Sequence, residues 1–130
     1  FVLREGNDVT LVTWGAMIKE TLTVADNLTQ QGIHAEVIDL ATISPIDIDT
    51  ILASVYKTKR LVIVHEAAKS CGVGAEISAL VAENALHHLK APIQRVTGYD
   101  TVMPYLQLEK HYMPSESRIQ DAIITVMENR

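Results

Sequence analysis

The stretch VHEAAKSCGVGAEI, residues 64–77, joins the end of an apolar strand to the start of a helix, and its reading decides the fold. Immediately before it, RLVIV (Arg60 to Val64) is short, apolar and β-branched, as a buried strand requires. From Gly74 onward Ile77, Leu80, Val81 and Leu86 recur at helical spacing, which predicts a helix reaching about His88. Strand, loop and helix together make half of a βαβ unit, and the same grammar repeats on both sides.

Upstream, VTLVTW (Val9 to Trp14) is a second strand, stopped by Gly15. A helix follows with Met17, Thr21, Val24 and Leu28 on one face, and Gly32 closes it. AEVIDL (Ala35 to Leu40) is the next strand. In SPID, Ser44 is the expected N-cap, Pro45 the first helical residue, and Asp47 and Asp49 favour the positive end of the helix. Ile48, Ile51, Leu52 and Val55 form its apolar stripe. Downstream, APIQRVTG (Ala91 to Gly98) reads as a strand, and YDTVMPYLQLEKHYMP (Tyr99 to Pro114) as irregular, with Pro104 and Pro114 as breakers. Ser115 then caps a last helix carrying Ile119, Ala122, Ile123, Val126 and Met127. Strands alternating with helices imply right-handed crossovers and a mostly parallel sheet covered on both faces. Ligands in such sheets sit beyond the carboxyl ends of the strands. Gly15, Thr42, His65, Glu66 and the Gly72 turn are expected at that edge.

At 130 residues the chain has the size of one domain, and 48% hydrophobic with 21% charged residues is a globular composition. A net charge of −5 argues against a nucleic-acid partner, which wants a concentrated basic face. No apolar run approaches the ~20 residues needed to span a bilayer, so no membrane role is expected. A single cysteine cannot form an internal disulfide, which points to a reducing compartment. FVLREGNDVTLVTWG has no initiator Met and begins inside a short strand, so residues 1–130 are expected to be one domain cut from a longer polypeptide.

Tested group by group, the side chains suggest no self-sufficient active site. Gly72-Val-Gly74 lacks the third glycine of a dinucleotide fingerprint and the Gly-Lys-Ser/Thr ending of a P-loop. Its amides at a helix start suit an anion, yet any tight strand-to-helix turn has this form. Cys71 at that helix start has the position of a nucleophile, but no Asn or Asp is visibly arranged to orient His65 as its base, so a packing role is expected. His65 and Glu66 are consecutive in a strand and point to opposite faces, so they do not converge on one substrate atom. A hydrogen-bonded strand-end histidine is expected instead. His87 and His88 are helix neighbours that share no face, which indicates no metal site. On this basis no catalytic, cofactor-binding or metal-ligating residue is assigned.

The ordered series VTLVTWG, EVIDLATISPIDIDTI, VHEAAKSCGVGAEI, LKAPIQRVTGYDTVMPY and YMPSESRIQDAI resembles the C-terminal domain of the transketolase group. More closely it resembles that domain in the β subunit of the 2-oxo acid dehydrogenase decarboxylase component, of pyruvate, branched-chain 2-oxo acid or acetoin type. The resemblance implies a three-layer α/β/α domain on a five-stranded, mostly parallel mixed sheet, with FVLRE as the antiparallel strand. It implies a parent oxidoreductase that uses thiamine diphosphate and magnesium to decarboxylate a 2-oxo acid and acylate a lipoyl group. The cofactor would lie in parts outside this chain, leaving this domain inactive alone. The implied partners are an α subunit, a second β subunit in an α2β2 assembly, and an acyltransferase core that docks through its peripheral subunit-binding domain. The implied location is the bacterial cytoplasm or the mitochondrial matrix.

Under this resemblance the opening stretch sits at a subunit contact. His65, Glu66, Lys90, Tyr99, Met103, Tyr105 and Tyr112 are the candidate interface residues. Tyr99, Met103, Tyr105, Leu106 and Tyr112 form the expected exposed apolar patch, and the isolated domain is expected to pair about a two-fold axis. Two positions depart from many relatives. Ala41 stands where they carry Arg, and Lys90 stands where they often carry an acid that meets the basic docking domain, with Arg130 adding further positive charge at the end. GYDTVMPY leans toward the branched-chain type and GVGAEI toward the pyruvate type. A free-standing α/β module binding a small anion at the Gly15/Gly72 edge is the competing expectation.

Overall fold

The computed structural model describes residues 1–105 and 107–128. Leu106 and Arg130, both named above, therefore lie outside the described residues. Five strands, β1 (Val2–Arg4), β2 (Val9–Thr13), β3 (Ala35–Asp39), β4 (Leu61–Ala68) and β5 (Gln94–Gly98), form one sheet in the order β1-β3-β2-β4-β5. β2 pairs in parallel with both β3 and β4, β4 pairs in parallel with β5, and β1 alone runs antiparallel, against β3. The FVLRE strand thus takes the antiparallel place that the resemblance implied.

Helices α1 (Met17–Thr29) and α5 (Glu116–Glu128) cover one face, and α2 (Ile48–Thr58) and α3 (Val73–Ala85) cover the other. A short turn of helix, α4 (Glu109–Tyr112), interrupts the segment after β5. The layers follow from the alternation of strand side chains. Val9, Leu11, Val62 and Val64 meet Met17, Val24, Leu28, Ile119 and Ile123 on the first face. Val12, Ile38 and Ile63 meet Ile51, Val55, Ile77 and Val81 on the second. The face expected for the first helix is the buried one, and Ser115 Oγ accepts from the Arg118 amide at 3.3 Å as the expected cap of the last.

The start of α2 corrects one expectation. Pro45 is not the first helical residue: the Ser44–Pro45 peptide is cis, and the helix begins three residues later. Asp47 is its cap, accepting from the Thr50 amide at 3.1 Å and the Thr50 hydroxyl at 2.7 Å. These bonds, the Thr50 hydroxyl first, hold the Asp47 carboxyl below its usual range. Asp47→Ala is expected to lower the melting temperature by about a few degrees, while Ser44→Ala leaves it unchanged. Thermal unfolding followed by circular dichroism distinguishes the two caps.

β2 and β4 are the central pair, and the chain crosses from one side of β2 to the other between β3 and β4. The crevice between the carboxyl ends of β2 and β4 is therefore the topological switch point, where doubly wound sheets bind ligands. Trp14 and His65 stand there.

Candidate functional site

His65 is 1% exposed, the most enclosed titratable group at the carboxyl edge of the sheet. Its imidazole stacks on the Trp14 indole, with ring centroids 5.1 Å apart and planes inclined by 17°. On its other side lies the first turn of α3. A methyl group at Gly74 would sit 2.7 Å from His65 Cδ2 and closer still to Nε2, and one at Gly72 would sit 3.0 Å from Cε1. Gly72 has an ordinary extended φ of −81°. Its glycine is required by this close approach, and by the Ala68 carbonyl 2.6 Å from where its Cβ would be, not by a left-handed backbone. The Gly72-Val-Gly74 turn is thus shaped around a side chain of its own chain, and the switch-point crevice is occupied by two stacked rings.

The expectation of a hydrogen-bonded histidine is corrected by the structure. Neither ring nitrogen of His65 has a hydrogen-bond partner. Burial, followed by the positive charge of Arg95, pushes its pKa below the ordinary histidine value, against the opposing influence of the Ala67 backbone. Glu66 is exposed, as strand alternation requires, and does not join His65. Cys71 is exposed too, with a left-handed φ of 58°, so its expected packing role does not hold. Its loop is tied down on both sides. Asp100 accepts from the Ser70 amide at 2.9 Å and hydroxyl at 2.6 Å, and Arg95 donates to the Lys69 carbonyl at 2.9 Å. The Ser70 hydroxyl, then its amide, hold the Asp100 carboxyl below its usual range.

The expected interface residues divide. Glu66, Lys90, Tyr99, Met103 and Tyr105 are exposed, with Tyr105 at 92%. His65 is enclosed within the chain, and so is Tyr112, at 7% exposure. Tyr112 lies across Gly98, where a methyl group would come within 2.6 Å of its ring carbons, and makes an edge contact with Tyr99 at 6.5 Å. Tyr112 thereby pins the surface segment to the end of β5. Sequence reasoning missed Val102 and Leu108, exposed at 88% and 57%, which extend the same apolar strip. It also missed Arg118, which stacks 4.7 Å over the Tyr99 ring and donates to the Thr97 carbonyl at 2.7 Å. Among the described residues, no three His, Cys, Asp or Glu side chains lie close enough to hold a metal ion. No helix of the described residues is long and apolar enough to cross a membrane.

Comparison with known proteins agrees with this geometry. The family model of the transketolase C-terminal domain matches residues 1–119. The β subunit of the pyruvate dehydrogenase E1 component from Staphylococcus epidermidis is 46% identical over 127 residues, covering 98% of this chain. Its counterpart from Bacillus subtilis is 45% identical over the same length. The chain spans 39% of the length of these relatives. A solved structure described as a split-gene transketolase, inactive beta4 tetramer, superimposes with a TM-score of 0.85 at 29% identity, covering 99% of this chain and 41% of that one. The order of strands, the antiparallel β1 and the match over nearly all residues lead to one conclusion: the chain belongs to the transketolase C-terminal domain family.

Proposed function

We propose that this chain serves as the C-terminal assembly and docking domain of a pyruvate dehydrogenase-type β subunit. In that reading the parent enzyme decarboxylates pyruvate with thiamine diphosphate and magnesium, acylates a lipoyl group, and assembles with an α subunit and a second β subunit. The observation that carries the reading is the exposed apolar strip Tyr99, Val102, Met103, Tyr105 and Leu108 beside the carboxyl end of β5. A contiguous strip of this kind is a surface for a partner to cover. The similarity to pyruvate dehydrogenase β subunits over 98% of the chain supplies the identity of the assembly.

The described residues do not fit a diphosphate and its magnesium ion. The switch-point crevice is filled by Trp14 and His65, and the glycines of the first turn of α3 close on that histidine. In the proposed reading this chain folds, pairs and docks, and the cofactor is held elsewhere in the parent enzyme. The same packing leaves the competing anion-binding reading without a supporting observation.

A chimaera tests the proposal. This chain replaces the corresponding domain of the Bacillus subtilis β subunit, which is then co-expressed with its α subunit. A heterotetramer with pyruvate-dependent acyl transfer is the expected result. A folded chimaera that sediments as free β subunit overturns it.

Docking to the acyltransferase core is part of the same reading, and Lys90 is exposed where it would act. Lys90→Asp is expected to tighten binding of a basic subunit-binding domain about tenfold, the ~1.4 kcal/mol of one restored charge pair. Titration calorimetry of the two forms measures this, and equal affinities would place Lys90 outside the contact.

A further inference from the structure

We propose that the Trp14–His65 stack is an acid-sensitive latch: protonation of the imidazole releases the Lys69–Gly74 segment and the first turn of α3 from the sheet edge. The inference is independent of the proposed assembly role. It rests on what surrounds the ring. β2 contributes the uncharged Trp14 indole. α3 contributes the glycines of its first turn, whose amide end carries partial positive charge, while its Glu76 is exposed. β5 contributes Arg95, whose positive charge repels a proton there. On β4 itself Glu66 is exposed and points to the other face. An imidazolium at this place would have no acceptor beyond the Ala67 backbone for its two N–H donors, a like charge beside it and a helix end of the same sign.

The closed arrangement therefore disfavours the protonated ring, and acid favours whichever arrangement returns it to water. The ring is covered by the Gly72–Gly74 turn, which continues into a loop held from outside by Asp100 and Arg95. Lifting that turn exposes the ring without breaking the strand pairing of β2 and β4. Asp100 stays ionised over the same range and so does not act as the switch. Between the ordinary histidine value of about 6.5 and the lower value of the closed state, the open fraction rises up to tenfold per pH unit.

Hydrogen exchange of the 130-residue chain, corrected for the intrinsic pH dependence, tests this with no added ligand. Amides 70–75 are expected to lose up to about fivefold protection between pH 6.5 and 5.5 while β2 and β4 amides keep theirs. Emission from Trp14, the one tryptophan, changes over the same interval. In His65→Gln the step disappears. Arg95→Gln raises the closed-state affinity for the proton and shrinks the ratio of protection at pH 8 to that at pH 5, whatever its baseline. It decides the matter if His65→Gln is too unstable to study. Unchanged protection down to pH 5.5, loss shared equally with β2 and β4, or an undiminished ratio in Arg95→Gln overturns the latch.

Discussion

Gly74→Ala is expected to destabilise the chain by about 2–3 kcal/mol, the scale of a methyl group forced into a filled site. An exposed helical glycine replaced by alanine would gain up to about 1 kcal/mol from propensity alone. Here the steric effect wins, because the new methyl would meet His65 Nε2 and Cδ2 and lie 3.3 Å from Ile63 Cγ2. The imidazole cannot retreat, since Trp14 is stacked on its other face. Truncating the obstacle removes most of this cost. In a His65→Ala background the same Gly74→Ala change should cost less than about 0.5 kcal/mol, because the methyl then occupies vacated space. Urea unfolding of the four proteins in this cycle measures the coupling. A neutral or stabilising Gly74→Ala in the parent chain would disprove the account of the glycine turn as a seat for the histidine.

The other large effect lies at the opposite end of the sheet. Glu36 on β3 is buried, and its carboxylate receives the Lys57 ammonium from α2 and the Gly6 amide at 3.3 Å. Burial alone would raise its pKa, but Lys57, Ser54 and the Gly6 amide outweigh it and hold the carboxyl below 4.5. Lys57→Met keeps the apolar stem and leaves the buried carboxylate without its cation. Removing one partner of a buried pair costs about 3–5 kcal/mol. Because the Lys57 side chain is 38% exposed, water screens part of the pair, and about 2–3 kcal/mol at pH 7 is the better expectation. The pH dependence gives a second check. In the parent chain the contribution of Glu36 is full above its unfolded value near 4.5 and fades as pH falls through its lower folded value. In Lys57→Met burial dominates, the folded value rises above the unfolded one, and acid relieves the variant. The stability gap should therefore narrow from pH 7 to pH 4.5, and a gap constant over that range would contradict the pairing.

What the residues disclose on their own is chiefly periodic. The strands at Val9, Ala35 and Arg60 and the apolar faces of α1 and α5 are local patterns, and burial acts on them directly. The missed features depend on long-range contact or on a choice between equivalent groups. Ser44 and Asp47 are both good caps, and only the backbone path through Pro45 selects the second. Tyr112 sits in an irregular, Pro-bounded segment that resembles surface, yet it is buried because it meets Gly98 fourteen positions earlier in the chain. The glycines at 72 and 74 suggest an anion cradle until the ring they accommodate is seen. A histidine at a strand end, followed by glycines opening the next helix, was the available signal. It was legible only as two separate motifs.

The contact of Tyr112 with Gly98 also separates two kinds of freedom in this domain. The surface excursion leaves the sheet at Tyr99 and returns beneath its own starting point, closed by one ring on one glycine. Among the described residues, none between Tyr99 and Tyr112 belongs to either core cluster. Lengthening such a closed excursion is cheap, since doubling a flexible loop adds only about 0.6 kcal/mol. The domain can change what it presents at this edge while keeping the scaffold that presents it, as a hinge-mounted plate can be exchanged without rebuilding the door. Substitution at Gly98 or Tyr112 would remove that independence, because variation in the excursion would then propagate into β5.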